Sequence, residues 1–108
     1  MKIAYPSMTG ERISGHPGRA KFLVIVEVKN GEIKNKEVMP NPIRHHDENN
    51  QPIPEYKRDW SVLNDIDMFV TRRCGEGFIR KMEKLGKELI ITEEKDINNF
   101  VKSLLRKT

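Results

Sequence analysis

The sequence predicts an α/β domain built on a mixed five-stranded sheet flanked by helices, and three observations predict it. Asn30-Gly31, the pair favoured in a two-residue type I′ turn, separates two strand-like runs and marks an antiparallel hairpin. A strand–helix–strand succession follows over residues 67–91, which requires parallel strands joined by a right-handed crossover. Ile97, Phe100, Val101, Leu104 and Leu105 then recur at i, i+3, i+4, i+7 and i+8, the spacing of an amphipathic helix. At 108 residues the chain fits one domain, 1–108, large enough to bury a core without disulfides or structural metal.

Taken in order, residues 2–5 read as a short strand ended by Pro6, which has no N–H to donate to a ladder. Residues 7–21 are polar and glycine-bearing, hence loop. Residues 22–28 form a strand with Phe22, Val24, Val26 and Val28 on one face and Leu23 and Ile25 on the other. Apolar residues on both faces indicate a strand covered from two sides. Residues 32–39 are more polar, as an edge strand should be. The stretch 40–56 is a long polar loop with Pro40, Pro42, Pro52 and Pro54, and a loop of this length is usually functional or mobile. Helical spacing resumes at Tyr56, Trp60, Leu63 and Ile66, with the two aromatics read as core. A buried strand over 67–71 leads into a helix over 75–85 with Phe78, Ile79, Met82 and Leu85 inward, ended by Gly86. Residues 88–91 form the last strand.

Composition narrows the function classes. With 36% hydrophobic and 33% charged residues the chain is polar but clustered enough to fold. The net charge of +4 comes from interspersed rather than polybasic residues, so nucleic-acid binding is permitted but not demanded. No run approaches the roughly 20 apolar residues of a membrane span, and the start has no signal-peptide architecture. The lone cysteine, Cys74, excludes an intrachain disulfide and fits a reducing cytoplasm.

Residues 1–4, Met-Lys-Ile-Ala, followed by Gly15-His16-Pro17-Gly18-Arg19-Ala20 and a strand, resemble the dinitrogenase iron-molybdenum cofactor biosynthesis family. The turn 70–77 and the helix–Gly86–strand–helix ending match as well, so the likeness covers nearly the whole chain as one nitrogenase accessory factor-like domain. Pro17 stands where relatives carry an aromatic, and Arg72-Arg73-Cys74 is bulkier and more basic than their glycine-rich turn. The resemblance implies strand order 3-2-1-4-5 with strand 2 antiparallel, an architecture like ribonuclease H. It also implies an iron-sulfur-type or iron-molybdenum-type cluster as ligand, and a cluster-donating or cluster-accepting protein as partner.

Several residues could carry that chemistry. His16 lies between two glycines that let the backbone approach a ligand, and neutral imidazole ligates iron and zinc. The competing reading is a loop histidine bonded to backbone. Cys74 precedes the amides of Gly75, Glu76 and Gly77, where a helix N-terminus favours anions and lowers a thiol pKa. It could give a thiolate to iron, or be a half-buried cysteine with no duty. One cysteine cannot hold a four-cysteine cluster. His45 and His46 are adjacent on the long loop, so they cannot easily face one ion together, although one could cap a bound cluster. Arg19, Arg72 and Arg73, with Arg12 and Arg44, are candidates for a basic rim toward an anionic ligand. The Arg72-Arg73 turn is the strongest of these, since strand-to-helix turns of open α/β sheets are common ligand sites.

The expected function is a binding or carrier protein for such a metallocluster, not an enzyme. The alternative is a non-catalytic adaptor or nucleic-acid-binding protein using the basic turn, though the aromatics read as inward rather than as stacking platforms. A magnesium-dependent nuclease would need carboxylates on the central strands. The first strand has none, and Glu27 and Asp67 complete no cluster.

Overall fold

The computed structural model describes residues 1–106, with side chains through Leu104. Five strands, β1 (Lys2–Ser7), β2 (Phe22–Lys29), β3 (Glu32–Pro40), β4 (Met68–Thr71) and β5 (Glu88–Ile91), form one sheet in the order β3-β2-β1-β4-β5. β2 runs antiparallel to both its neighbours, whereas β1, β4 and β5 are mutually parallel. Helix α1 (Glu76–Leu85) connects β4 to β5, and α2 (Ile97–Arg106) follows β5. The expected strand order and the antiparallel second strand are both present.

The local signals account for most elements. Asn30 and Gly31 both take positive φ, 53° and 78°, as a type I′ turn requires, and Lys29 pairs with Glu32 across it. Gly86 ends α1 in the left-handed region at φ 68°, while its N–H and that of Lys87 return to the carbonyls of Glu83 and Met82. The Asp96 carboxylate caps α2 by accepting from the amides of Asn98 (2.7 Å) and Asn99 (3.3 Å).

The sheet is covered on both faces. Ile3, Tyr5, Val24, Val26 and Val70 pack with Ile97, Phe100 and Val101 of α2 on one side. Ala4, Leu23 and Phe69 pack with Phe78 and Met82 of α1 and with Ile43, Leu63 and Ile66 on the other. β2 thus divides its side chains between two cores, as its double apolar pattern requires. Leu105, assigned by spacing to the inner face of α2, lies outside the described side chains.

Two expectations need correction. Pro6 does not end β1, which continues to Ser7. The Pro6 carbonyl accepts from Ser14 N–H at 2.9 Å, so that side of the residue faces a loop. A strand residue points its N–H and C=O to the same side, and β1 pairs β4 only at Ile3 and Ala4. The donor that proline lacks therefore has no ladder partner to lose. The helical spacing at 56–66 yields two 3₁₀ turns, Glu55–Lys57 and Trp60–Leu63, rather than a helix. Arg58 and Asp59 are extended between them, and the Asp59 carboxylate bonds the Ser61 amide instead. Tyr56 is consequently 83% exposed, not core, whereas Trp60 is half-buried with its ring centroid 6.2 Å from that of Phe78.

Candidate functional site

β1 and β4 lie side by side and parallel, so the loops leaving their C-terminal ends emerge together. The β1 loop carries His16, and the β4 loop carries Arg72, Arg73 and Cys74. Backbone bonds lace the two: Arg72 N–H donates to Ser14 O (3.1 Å) and His16 N–H to Arg73 O (3.0 Å). Thr71, fully buried, sets its hydroxyl 2.9 Å from Arg73 O and 3.2 Å from Ser14 O, sharing one donation between the two loops. Contact is close at Gly15, where a Cβ would stand 3.3 Å from Arg73 Cβ.

His16 itself is left-handed, with φ 59°, and its carbonyl accepts from Arg19 N–H (2.8 Å) and Ala20 N–H (3.1 Å). His16 is exposed to solvent, and it is its backbone N–H that meets the Arg73 carbonyl. The turn is held from beneath by Asn41, which is 7% exposed and was not signalled by any motif. Its Nδ2 donates to Pro17 O (2.7 Å) and Ala20 O (2.9 Å), and its Oδ1 accepts from Ile43 N–H (3.2 Å). A lone asparagine between prolines carries no sequence signature of such a duty; only its burial shows it.

The two histidines of the long loop separate. His45 bonds the β1 loop through its N–H to Gly18 O (2.6 Å), and its carbonyl receives Ile53 N–H (2.6 Å). Its ring lies so close over Gly18 that a Cβ there would meet His45 Cδ2 at 2.5 Å. Burial pushes the imidazole pKa down, and the positive charges of Arg58, His46 and Arg19 add to this against Glu55, so the ring is neutral near pH 7. His46 instead pairs through its backbone with Pro52, across a turn in which Asp47 Oδ1 receives the amides of Asn49 and Gln51. The structure therefore brings His45, and not His46, to the loop of His16.

Cys74 departs from the expected thiolate. It is half-buried against the α1-side core, and desolvation raises its pKa instead of lowering it. Gly75 follows at the N-cap of α1 with no side chain to satisfy the first helix amides. The electrostatics of this rim are positive. Among the described residues, no ion pair involves Arg19, Arg72 or Arg73. Arg72 Nε is buried without a hydrogen-bond partner, an orphaned donor facing no acceptor of the chain. Also among the described residues, no three His, Cys, Asp or Glu side chains converge as a metal-binding group. The arrangement suits an anionic ligand held by donors and at most one or two protein ligands, not a closed metal cage.

A family model described as dinitrogenase iron-molybdenum cofactor matches residues 1–107. An uncharacterized protein of Methanocaldococcus jannaschii is 51% identical over 45 residues, 42% of this chain and 37% of that relative. The matched part thus spans little more than a third of the curated relative. Among solved structures, PH0822 superposes with a TM-score of 0.71 at 20% identity, covering 100% of this chain and 91% of that one. The crystal structure of a candidate dinitrogenase from M. jannaschii gives 0.71 at 19% identity, covering 99% and 89%. At these identities the structural likeness shows the fold.

Proposed function

Because the chain belongs to the dinitrogenase iron-molybdenum cofactor family, we propose that it binds and carries an anionic metal–sulfur cluster as cargo, with no turnover of its own. The observation that carries the reading is the seam between the two strand-end loops. It joins His16, an exposed residue, by a backbone bond to a turn whose arginines have no carboxylate partner among the described residues. The start of α1, with no side-chain cap, supplies donors of the kind an anion accepts from.

In this reading His16 ligates through its neutral imidazole, while Arg19, Arg72, Arg73 and the Gly75 turn balance the negative charge. Cys74 is protonated in the free protein, so its use as a ligand would release a proton on binding. Few protein ligands mean that the cluster keeps most of its own coordination, as a cargo passed between a donor and an acceptor protein must. A cytoplasmic location and the absence of a nucleic-acid partner belong to the same proposal.

The test is anaerobic reconstitution with iron and sulfide, followed by metal and sulfide analysis and the visible spectrum. Wild type should take up stoichiometric iron with charge-transfer absorption, and His16→Ala should lose it. Arg72→Gln with Arg73→Gln should weaken retention on gel filtration. Colourless, metal-free wild type, both here and after incubation with a preassembled extracted cluster, would sink the proposal.

A further inference from the structure

The two edges of the sheet are protected unequally. On one side β3 carries Glu32, Lys34, Lys36 and Glu37, and its register with β2 slips between Glu27 and Val28. Charges and bulges of this kind keep an edge strand from pairing with another chain. On the other side β5 reads Glu-Leu-Ile-Ile and pairs only with β4, in unbroken register. Thr92 N–H donates to Thr71 O at 3.0 Å, so the backbone groups of Thr92 and, by alternation, of Ile90 face β4. Those of Leu89 and Ile91 therefore face outward, where among the described residues they have no partner.

Beside this edge, on the α1 side, lies a groove of about 380 Å3 lined by Ile79, Met82, Leu89 and Ile91, with Glu83 and Lys87 in its wall. Ile91 is 56% exposed. The residue order of β5 selects what can cover it. A two-fold axis perpendicular to a sheet sets opposite residues on the same face, so it allows only registers centred on a residue. Centred on Ile90, the outward groups of Leu89 meet those of Ile91 in a second copy, and Ile90 meets itself as the non-hydrogen-bonded pair. Both pairings are apolar, and Glu88 falls opposite Thr92, so no like charges are opposed. The β3 edge fails the same test, since its central residues Lys36 and Glu37 would each meet their own charge.

We propose that β5 is a self-association edge, onto which a second copy of this chain adds its own β5, antiparallel and centred on Ile90. The sheet then runs unbroken through both copies. Leu89 and Ile91 of the two strands lie side by side along the groove, where Ile79 and Met82 receive them. The antiparallel join points the C-terminal ends of β1 and β4 in opposite directions, so the two candidate sites stand at opposite ends of the dimer.

Sedimentation velocity on metal-free protein, from micromolar to millimolar, should show a rise toward twice the mass of one chain. Ile91→Lys, at a position already exposed in the single chain, should raise the dissociation constant by about tenfold or more. Val38→Lys, which adds the same charge at an exposed position of β3, should leave it unchanged. In a Cys74→Ser background, Ile90→Cys should form a disulfide-linked dimer under a mild oxidant, because a non-hydrogen-bonded pair brings the Cα atoms to about 4.5 Å. Glu88→Cys, which falls opposite Thr92, should not. A dimer indifferent to Ile91→Lys, or cross-linking through Glu88→Cys and not Ile90→Cys, would overturn the proposal. A protein that stays monomeric throughout would also overturn it and leave the edge to a different chain. No metal is used, so the outcome is independent of the cargo reading.

Discussion

Gly18→Ala isolates the contact that docks the long loop onto the His16 turn. An alanine Cβ would stand 2.5 Å from His45 Cδ2, 2.7 Å from Cγ and 2.8 Å from Nε2. Non-bonded carbons prefer about 3.5–4.0 Å, so the ring must retreat by roughly 1 Å. It cannot do so by sliding, because the His45 backbone is bonded to both Gly18 O and Ile53 N. The side chain must rotate out and give up its packing. Overpacking of this kind costs about 1–3 kcal/mol. Gly18 is not in the left-handed region, so alanine also gains about 0.4–1 kcal/mol from the less disordered unfolded chain. The net loss is about 0.5–2 kcal/mol, a fall in Tm of several degrees at ~4–8 °C per kcal/mol. Calorimetry or thermal circular dichroism measures it, with Gly77→Ala as a comparison because a Cβ there meets nothing within 4 Å. In a His45→Ala background the same Gly18→Ala change should be neutral or stabilising, and the double-mutant cycle gives the coupling. A Gly18→Ala protein that melts at or above wild type, or one not rescued by His45→Ala, would refute the reasoning.

Asn41→Ala removes the partners of Pro17 O, Ala20 O and Ile43 N–H together, and is expected to cost about 1–3 kcal/mol or more. A lower denaturant midpoint at unchanged slope would report it; an unchanged midpoint would deny Asn41 its role. The folded-state pKa of His45 lies below its unfolded value of about 6.5, so the unfolded chain takes up the proton first. Its contribution to stability is complete above that pH and is lost as pH falls toward the lower folded value. Wild type should therefore lose stability on acidification that His45→Gln retains, and identical pH profiles would contradict this. Cys74, with its pKa raised by burial, should alkylate slowly near neutral pH and accelerate only beyond the ordinary thiol range. Rapid reaction with iodoacetamide at neutral pH would indicate the thiolate that its place before a helix first suggested.

By itself the sequence determined the hairpin at Asn30-Gly31, the two-faced β2, the stop of α1 at Gly86 and the inward stripe of α2. Each is a local signal, a turn dihedral or a periodicity, that a few neighbouring residues specify without knowledge of the rest of the chain. Resemblance to a family extended that to strand order. Tertiary structure alone decided how the candidate site is assembled. His16 and Arg73 are far apart in sequence and meet only because β1 and β4 lie parallel and adjacent. Asn41, Thr71 and the choice of His45 over His46 depend on what the long loop covers once the sheet has formed. The same cause reversed the expectation for Cys74: a helix start favours a thiolate, but the core packed around the sulfur withholds the water that a charge requires. Periodicity and turn chemistry are written along the chain, whereas desolvation and close approach are properties of segments brought together from a distance.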